Sequence, residues 1–422
     1  MEIIANYGGI LLILAVVFGV FMAWGVGAND VANAMGTSVG SGAITIKQAI
    51  VIAVIFEFAG AILAGGEVTA TIRKGILDAT IFADSPHLLV YGMLASLLAA
   101  GTWLMIASSF GWPVSTTHSI VGAIVGFGAI GVGVDAVAWD KVGTIAMSWI
   151  VSPILAGSIA FMLFRSLQNL IIDTDKPFEN AKKYVPYYMF LVGFVISLVT
   201  IFKGLKHVGL NFDLGTSYML ATGFGLLVAA VGTIIIRRIH IEEDENRDFH
   251  FTSMERIFSV LMIITAAAMA FAHGSNDVAN AIGPLAAIYG VIESGGLIGS
   301  KSVLPVWVLL VGGGGIVFGL VTYGHKVIAT IGTGITQLTP SRGFAATLAA
   351  AATVVIASGT GLPVSTTQVL VGAVLGVGLA RGMAALDTRM INKIFLSWIV
   401  TLPAGAIMSV VFFFMLKGMF GA

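Results

Sequence analysis

Apolar runs long enough to cross a bilayer follow one another along almost the whole chain, with short polar stretches between them. The first part carries them at about 8–27, 45–65, 88–110, 114–134 and 143–165. Two more lie at about 185–202 and 215–237. The last part repeats the arrangement at 255–273, 279–298, 303–323, 344–361 and 364–382, closed by 393–416. Glu67 to His87 is too polar to span. There Val68, Ile72, Ile76 and Ala79 recur at helical spacing, with Arg73, Lys74 and Asp78 on other faces. That pattern predicts a helix lying at the membrane interface. Pro284 makes 279–298 a candidate for half insertion. The whole reads as an all-α polytopic membrane protein of about twelve transmembrane segments.

Composition supports this: 58% of the 422 residues are hydrophobic and 10% charged, with a mean hydropathy of +1.01. A soluble protein carries about 25% charged residues. The 53 glycines suit helices that pack closely or break in a membrane. Net charge is zero, so no basic field points to nucleic acid. The absence of cysteine excludes disulfides, thiolate metal sites and cysteine nucleophiles. Met1-Glu2-Ile3 lacks the basic start of a signal peptide, so the first run is expected to be a retained spanning helix.

Three motifs recur in the same order, each displaced by about 250 residues. Gly27-Ala28-Asn29-Asp30-Val31-Ala32-Asn33 returns as Gly274-Ser275-Asn276-Asp277-Val278-Ala279-Asn280. Pro113-Val114-Ser115-Thr116-Thr117 returns as Pro363-Val364-Ser365-Thr366-Thr367, and Ser148-Trp149-Ile150-Val151 as Ser397-Trp398-Ile399-Val400. This is duplication: 1–165 and 254–422 are the repeats, and 166–253 holds two central spans with charged linkers. If each repeat crosses an odd number of times, the two spans between them make the repeats inverted, with broken or re-entrant helices near the motifs, as in secondary transporters.

Lys and Arg set the orientation. Arg165, Lys176, Lys182 and Lys183 occupy one linker; Arg237, Arg238, Arg247 and Arg256 occupy the other, whose run from Arg237 to Arg247 must be solvated. The connection between the central spans has only Lys203 and Lys206. The positive-inside rule puts both rich linkers in the cytoplasm and the N-terminus outside.

The motifs carry the chemistry. A helix starting at Pro113 or Pro363 would present free N–H groups and a positive dipole end, with the hydroxyls of the Ser-Thr-Thr run beside them. That donor set suits a tetrahedral oxyanion; the plain alternative is hydroxyls bonding back to helix carbonyls. Asp30 and Asn33, like Asp277 and Asn280, share a helix face and offer hard oxygen ligands for sodium or a similar cation. The alternative is a buried Asn–Asp turn holding a helix break. An acid in the membrane is expensive and marks function by default. Two such acids and a phosphate dianion would repel strongly at low dielectric, and neither motif holds a Lys or Arg. Charge balance therefore predicts that cations enter with the anion.

These motifs resemble the signature of the inorganic phosphate transporter (PiT) family, as do Gly324-His325-Lys326-Val327 and Leu338-Thr339-Pro340-Ser341-Arg342-Gly343-Phe344. The likeness spans nearly the whole chain, and the short middle linker is similar to that of prokaryotic members. It implies a sodium-dependent phosphate symporter of the cell's inner membrane that works by alternating access, often as a homodimer. Ser115, Thr116, Thr117, Ser365, Thr366 and Thr367 would contact phosphate. Asp30, Asn33, Asp277 and Asn280 would hold sodium, with Asn29 and Asn276 as helpers. Glu57 matches a family acid linked to coupling, with no evident partner in the second half. No cofactor is implied beyond the co-transported sodium.

The halves differ where His118 matches Gln368 and Val26 matches His273, which leaves proton coupling, with a metal–phosphate complex or with sulfate, as the alternative. An intramembrane aspartyl protease built on Asp30 and Asp277 would give the Asn and Thr residues no role. No His-Glu-X-X-His motif is present. A channel would need a continuous polar path.

Overall fold

The computed structural model describes residues 2–110, 112, 114–201, 212–239, 247–298, 304–325, 328, 338–382 and 388–421. In the first half the helices are α1 (Glu2–Gly40), α2 (Ile46–Ala64), α3 (Gly66–Lys74), α4 (Pro86–Ser109), α5 (Thr116–Gly126) and α6 (Trp139–Leu167). The central pair is α7 (Pro177–Val199) and α8 (Leu214–Arg237). The second half is α9 (Arg247–Glu293), α10 (Val306–Gly319), α11 (Pro340–Gly359), α12 (Thr366–Arg381) and α13 (Thr388–Phe420). Nine helices among the described residues are long and apolar enough to cross a membrane. Thr116–Val132 and Thr366–Arg381 are shorter apolar helices.

Several sequence expectations need correction. The run at 255–273 and most of that at 279–298 belong to one helix, α9, which continues through Pro284 rather than breaking there. That same helix already includes Arg247 to Arg256, which the sequence places in a linker. Lys203, Lys206 and 240–246 lie outside the described residues. The predicted interfacial helix exists as α3, but Val68 and Ile72, with Ile76 just beyond it, are fully buried. They pack against protein, α9 foremost, where Ile72 meets Gly283. Short polar caps mark several ends. Asp78 caps the turn Ala79–Phe82 through the Thr80 N–H and hydroxyl, and Asp213 caps α8 through Thr216. These bonds hold both carboxyls below the usual carboxylate range.

The two halves interlock. The second helix of each packs on the first of the other, α2 on α9 and α10 on α1, while α12 packs on α6 and α13 on α5. Glycine makes the first exchange possible. A Cβ at Gly27 would stand 1.9 Å from the Ile316 carbonyl oxygen, and one at Gly274 would stand 2.1 Å from that of Glu57. These are the opening glycines of the duplicated Asn-Asp motif. Their lack of a side chain brings the motif against a backbone of the opposite half.

Candidate functional site

Both Asn-Asp motifs lie inside unbroken helices, α1 and α9, so no break or turn holds them. The interruption falls at the hydroxyl motifs instead. The chain leaves α4 at Ser109 and re-enters as α5 at Thr116; it leaves α11 at Gly359 and re-enters as α12 at Thr366. Neither helix starts at its proline. Pro363 precedes α12, and Pro113 lies outside the described residues. Ser115 and Ser365 are the caps: their hydroxyls accept from the backbone N–H of His118 and Gln368 at 3.2 and 3.3 Å. Helix geometry then leaves the N–H groups of Thr116 and Thr117, and of Thr366 and Thr367, without intrahelical acceptors.

The threonines do not bond back to their own helices. Thr116 donates to Asp30 Oδ2 at 2.7 Å, and Thr366 to Asp277 Oδ2 at 2.9 Å. Thr117 donates to the Val364 carbonyl at 3.0 Å, and Thr367 to the Val114 carbonyl at 3.4 Å. The two tips thus brace each other. The asparagines cross between halves: Asn33 donates to Thr367 at 2.7 Å, and Asn280 to Thr116 and Thr117 at 3.2 and 3.3 Å. Asn29 donates to Ser108 Oγ at 2.8 Å and the Trp112 carbonyl at 3.3 Å, tying α1 to the end of α4. Asn276 satisfies both amide ends by donating to Asp277 Oδ1 and the Val364 carbonyl and accepting from Ser358 Oγ, at 3.0, 3.0 and 3.1 Å. All twelve of these predicted oxyanion and cation residues are at most 4% exposed. The structure brings them into one buried cluster to which both halves contribute.

Glu57 is drawn into the same cluster by a residue whose role the sequence does not announce. His273 Nδ1 lies 3.1 Å from Glu57 Oε1, and Nε2 lies 2.9 Å from Asp277 Oδ2; all three side chains are buried. Glu57 therefore has its partner in the second half. Each imidazole nitrogen faces a carboxylate oxygen of a different helix position. The i,i+4 spacing of His273 and Asp277 was the available signal. The counterparts in the other half are apolar. Val26 replaces His273, and Ile316 meets Gly27 as Glu57 meets Gly274.

Donor atoms for a cation are present. Oxygens or nitrogens of Asp30, His273 and Asp277 come within 4.8 Å of one another. Asp30 Oδ1 and Asn280 Oδ1 are buried acceptors with no hydrogen-bond donor, whereas both Asp277 oxygens are engaged. Unpaired hard oxygens of this kind suit a monovalent or divalent cation.

A multi-pass helical membrane protein whose two halves join at a buried polar centre has the architecture of a secondary transporter. The model of the phosphate transporter family matches residues 26–409, and the chain belongs to that family; it is a transporter and not an enzyme. It is 54% identical to a Haemophilus influenzae protein named as a putative phosphate permease, over the whole of both chains. It is 43% identical to the chloroplastic inorganic phosphate transporter 2-1 of Arabidopsis thaliana, over 94% of this chain and 70% of the relative. A solved structure, that of "The sodium-dependent phosphate transporter", superposes with a TM-score of 0.90 at 40% identity, covering 96% of this chain and 99% of the other.

Proposed function

We propose that this protein imports inorganic phosphate across the cell's inner membrane together with sodium ions, by alternating access of two inverted repeats, with its N-terminus outside. The observation that carries this reading is the pairing of each hydroxyl tip with a carboxylate, Thr116 with Asp30 and Thr366 with Asp277.

A threonine hydroxyl has one proton to give. While it goes to the carboxylate it cannot go to a phosphate oxygen. A sodium ion on Asp30 Oδ1 and Asn280 Oδ1 neutralises the acid and weakens its hold on Thr116. The hydroxyl then turns to phosphate, joined by the N–H groups of Thr116 and Thr117 and their counterparts on α12. Ser115 and Ser365 keep their own protons free to donate while capping. Each ligand thereby favours the other, which is the thermodynamic content of symport. The superposed transporter is sodium-dependent by name, and that likeness supports this choice of cation. His273 supports a second reading: it stands between Glu57 and Asp277, three side chains able to carry a proton inside the site, as proton coupling requires.

Labelled phosphate uptake into vesicles, with sodium, proton and magnesium gradients varied one at a time, separates the two. Uptake that follows sodium alone supports the first reading. Uptake that persists without sodium and follows the proton gradient replaces it with the second.

A further inference from the structure

Beyond the site the two repeats stop matching. On α1 the polar face of Asp30 and Asn33 continues, because Thr37 and Ser41 follow at helical spacing. The Ser41 N–H still bonds to the Thr37 carbonyl at 3.0 Å, so that spacing holds to the end of the helix. On α11 one face presents Thr347 and Gly343, with Thr339 just ahead of the first turn. The two rows meet. Thr37 and Thr347 share a hydrogen bond between their hydroxyls at 2.8 Å, and a Cβ on Gly343 would stand 3.5 Å from the Thr37 carbonyl oxygen. Thr37 and Thr347 are buried, whereas Ser41 and Thr339 are half-buried where α1 ends and α11 begins. A seam of small and polar residues thus leads outward from Asn33, which itself reaches Thr367 in the site.

The duplicated seam is apolar. Pro284 stands seven residues after Asp277, as Thr37 does after Asp30, and Ile288 takes the place of Ser41. Counted back from Thr116 as from Thr366, Leu97, Met93 and Leu89 match Thr347, Gly343 and Thr339. All five of these counterparts are buried. Parting two hydroxyls exchanges one hydrogen bond for bonds to water, at little net cost. Parting apolar side chains exposes hydrocarbon. The hydroxyl seam is therefore the easier one to open, and its walls can hydrogen-bond a hydrated anion.

We propose that phosphate passes along this seam, between the site and the face where α1 ends and α11 begins, with the Thr37–Thr347 bond as its gate. The route rests on the phosphate reading above, whose orientation makes that face the cytoplasmic one. It also gives the stretch from Leu338 to Phe344 a task. Glu255 of α9 accepts from the Ser341 N–H at 2.8 Å and from its hydroxyl at 2.7 Å. Near the other end of α11, Ser358 bonds to Asn276 of the same α9. Clipped to α9 at both ends, α11 is the fixed wall, and α1 is the helix that parts from it.

The test uses this cysteine-free chain reconstituted in vesicles. Thr37→Cys, Thr347→Cys and Leu97→Cys are treated with a membrane-impermeant, negatively charged methanethiosulfonate, added to each side in turn. Thr37→Cys and Thr347→Cys should react from the side that also labels Ser41→Cys, about tenfold faster than Leu97→Cys reacts from either side. The double variant Thr37→Val with Thr347→Val replaces the hydroxyls by methyls. It should slow phosphate exchange across the membrane about tenfold, while equilibrium phosphate affinity and melting temperature stay near those of the wild type. A bond that only joins two helices would lower the melting temperature and spare the exchange. Exchange as fast as the wild type's in the valine variant overturns the route, and so do Thr37→Cys and Thr347→Cys no more reactive than Leu97→Cys. A wild type that exchanges no phosphate would instead remove the reading on which the route rests.

Discussion

Thr116 donates its single hydroxyl proton to Asp30 across 2.7 Å of buried space, and Asn280 of the opposite half bonds to the same hydroxyl. One oxygen therefore connects the proposed anion site, the proposed cation site and both repeats. Among the described residues, the hydroxyl of its counterpart Thr366 bonds to Asp277 alone, at 2.9 Å, because Asn33 reaches Thr367 instead.

Thr116→Val should therefore cost more than Thr366→Val. Removing a hydrogen bond to a charged group costs about 1.5–3 kcal/mol. The phosphate concentration for half-maximal uptake should rise by about ten- to a hundredfold for Thr116→Val, and by less for Thr366→Val. Concentration series on the two variants check the order. An unchanged value in both would leave the hydroxyls structural.

Asp30→Asn and Asp277→Asn should weaken sodium dependence more than folding, because Asn can still accept from threonine. The loss should be larger at Asp30, whose Oδ1 has no other partner, than at Asp277, which His273 already engages. Sodium titrations of uptake beside thermal melts give both quantities. Equal sodium response in both variants and the wild type would remove the assignment.

The ion pair of Glu57 and His273 can be separated from transport by a double-mutant cycle. His273→Val leaves Glu57 buried without its partner and should cost about 3–5 kcal/mol. Adding Glu57→Ile copies the apolar pair Val26 and Ile316 of the other half and should recover most of that loss. Melting temperatures of the singles and the double measure the coupling. A double variant that restores stability but not sodium- or proton-driven uptake marks the pair as functional.

Gly274→Ala should destabilise while leaving every charged side chain in the sequence. The added methyl would stand 2.1 Å from the Glu57 carbonyl oxygen, so α9 and α2 must part. Overpacking of this kind costs about 1–3 kcal/mol. A melting temperature equal to that of the wild type would show that the helices yield freely there.

Much of this was legible in the sequence, for physical reasons. Hydropathy located the helices because a bilayer demands long apolar runs, and duplication located the site because the same expensive acid appeared twice. Helix boundaries were less legible. Pro284 reads as a break, yet α9 continues through it, and Pro363 reads as a helix start, yet Ser365 supplies the cap. Val68, Ile72 and Ile76 read as a membrane-facing stripe, since periodicity shows an apolar face but not what covers it. The partnership of Glu57 with His273 was invisible because the two are far apart in the chain and have no counterparts in the repeat that could have pointed to them.

The proposed release of the threonines to phosphate, by sodium on the carboxylates, is tested most directly by equilibrium binding. Labelled phosphate is titrated onto the purified protein with and without saturating sodium, at fixed pH and ionic strength. Sodium should tighten phosphate binding by at least about tenfold, and Asp30→Asn should erase that gain. The same phosphate affinity with and without sodium would contradict it.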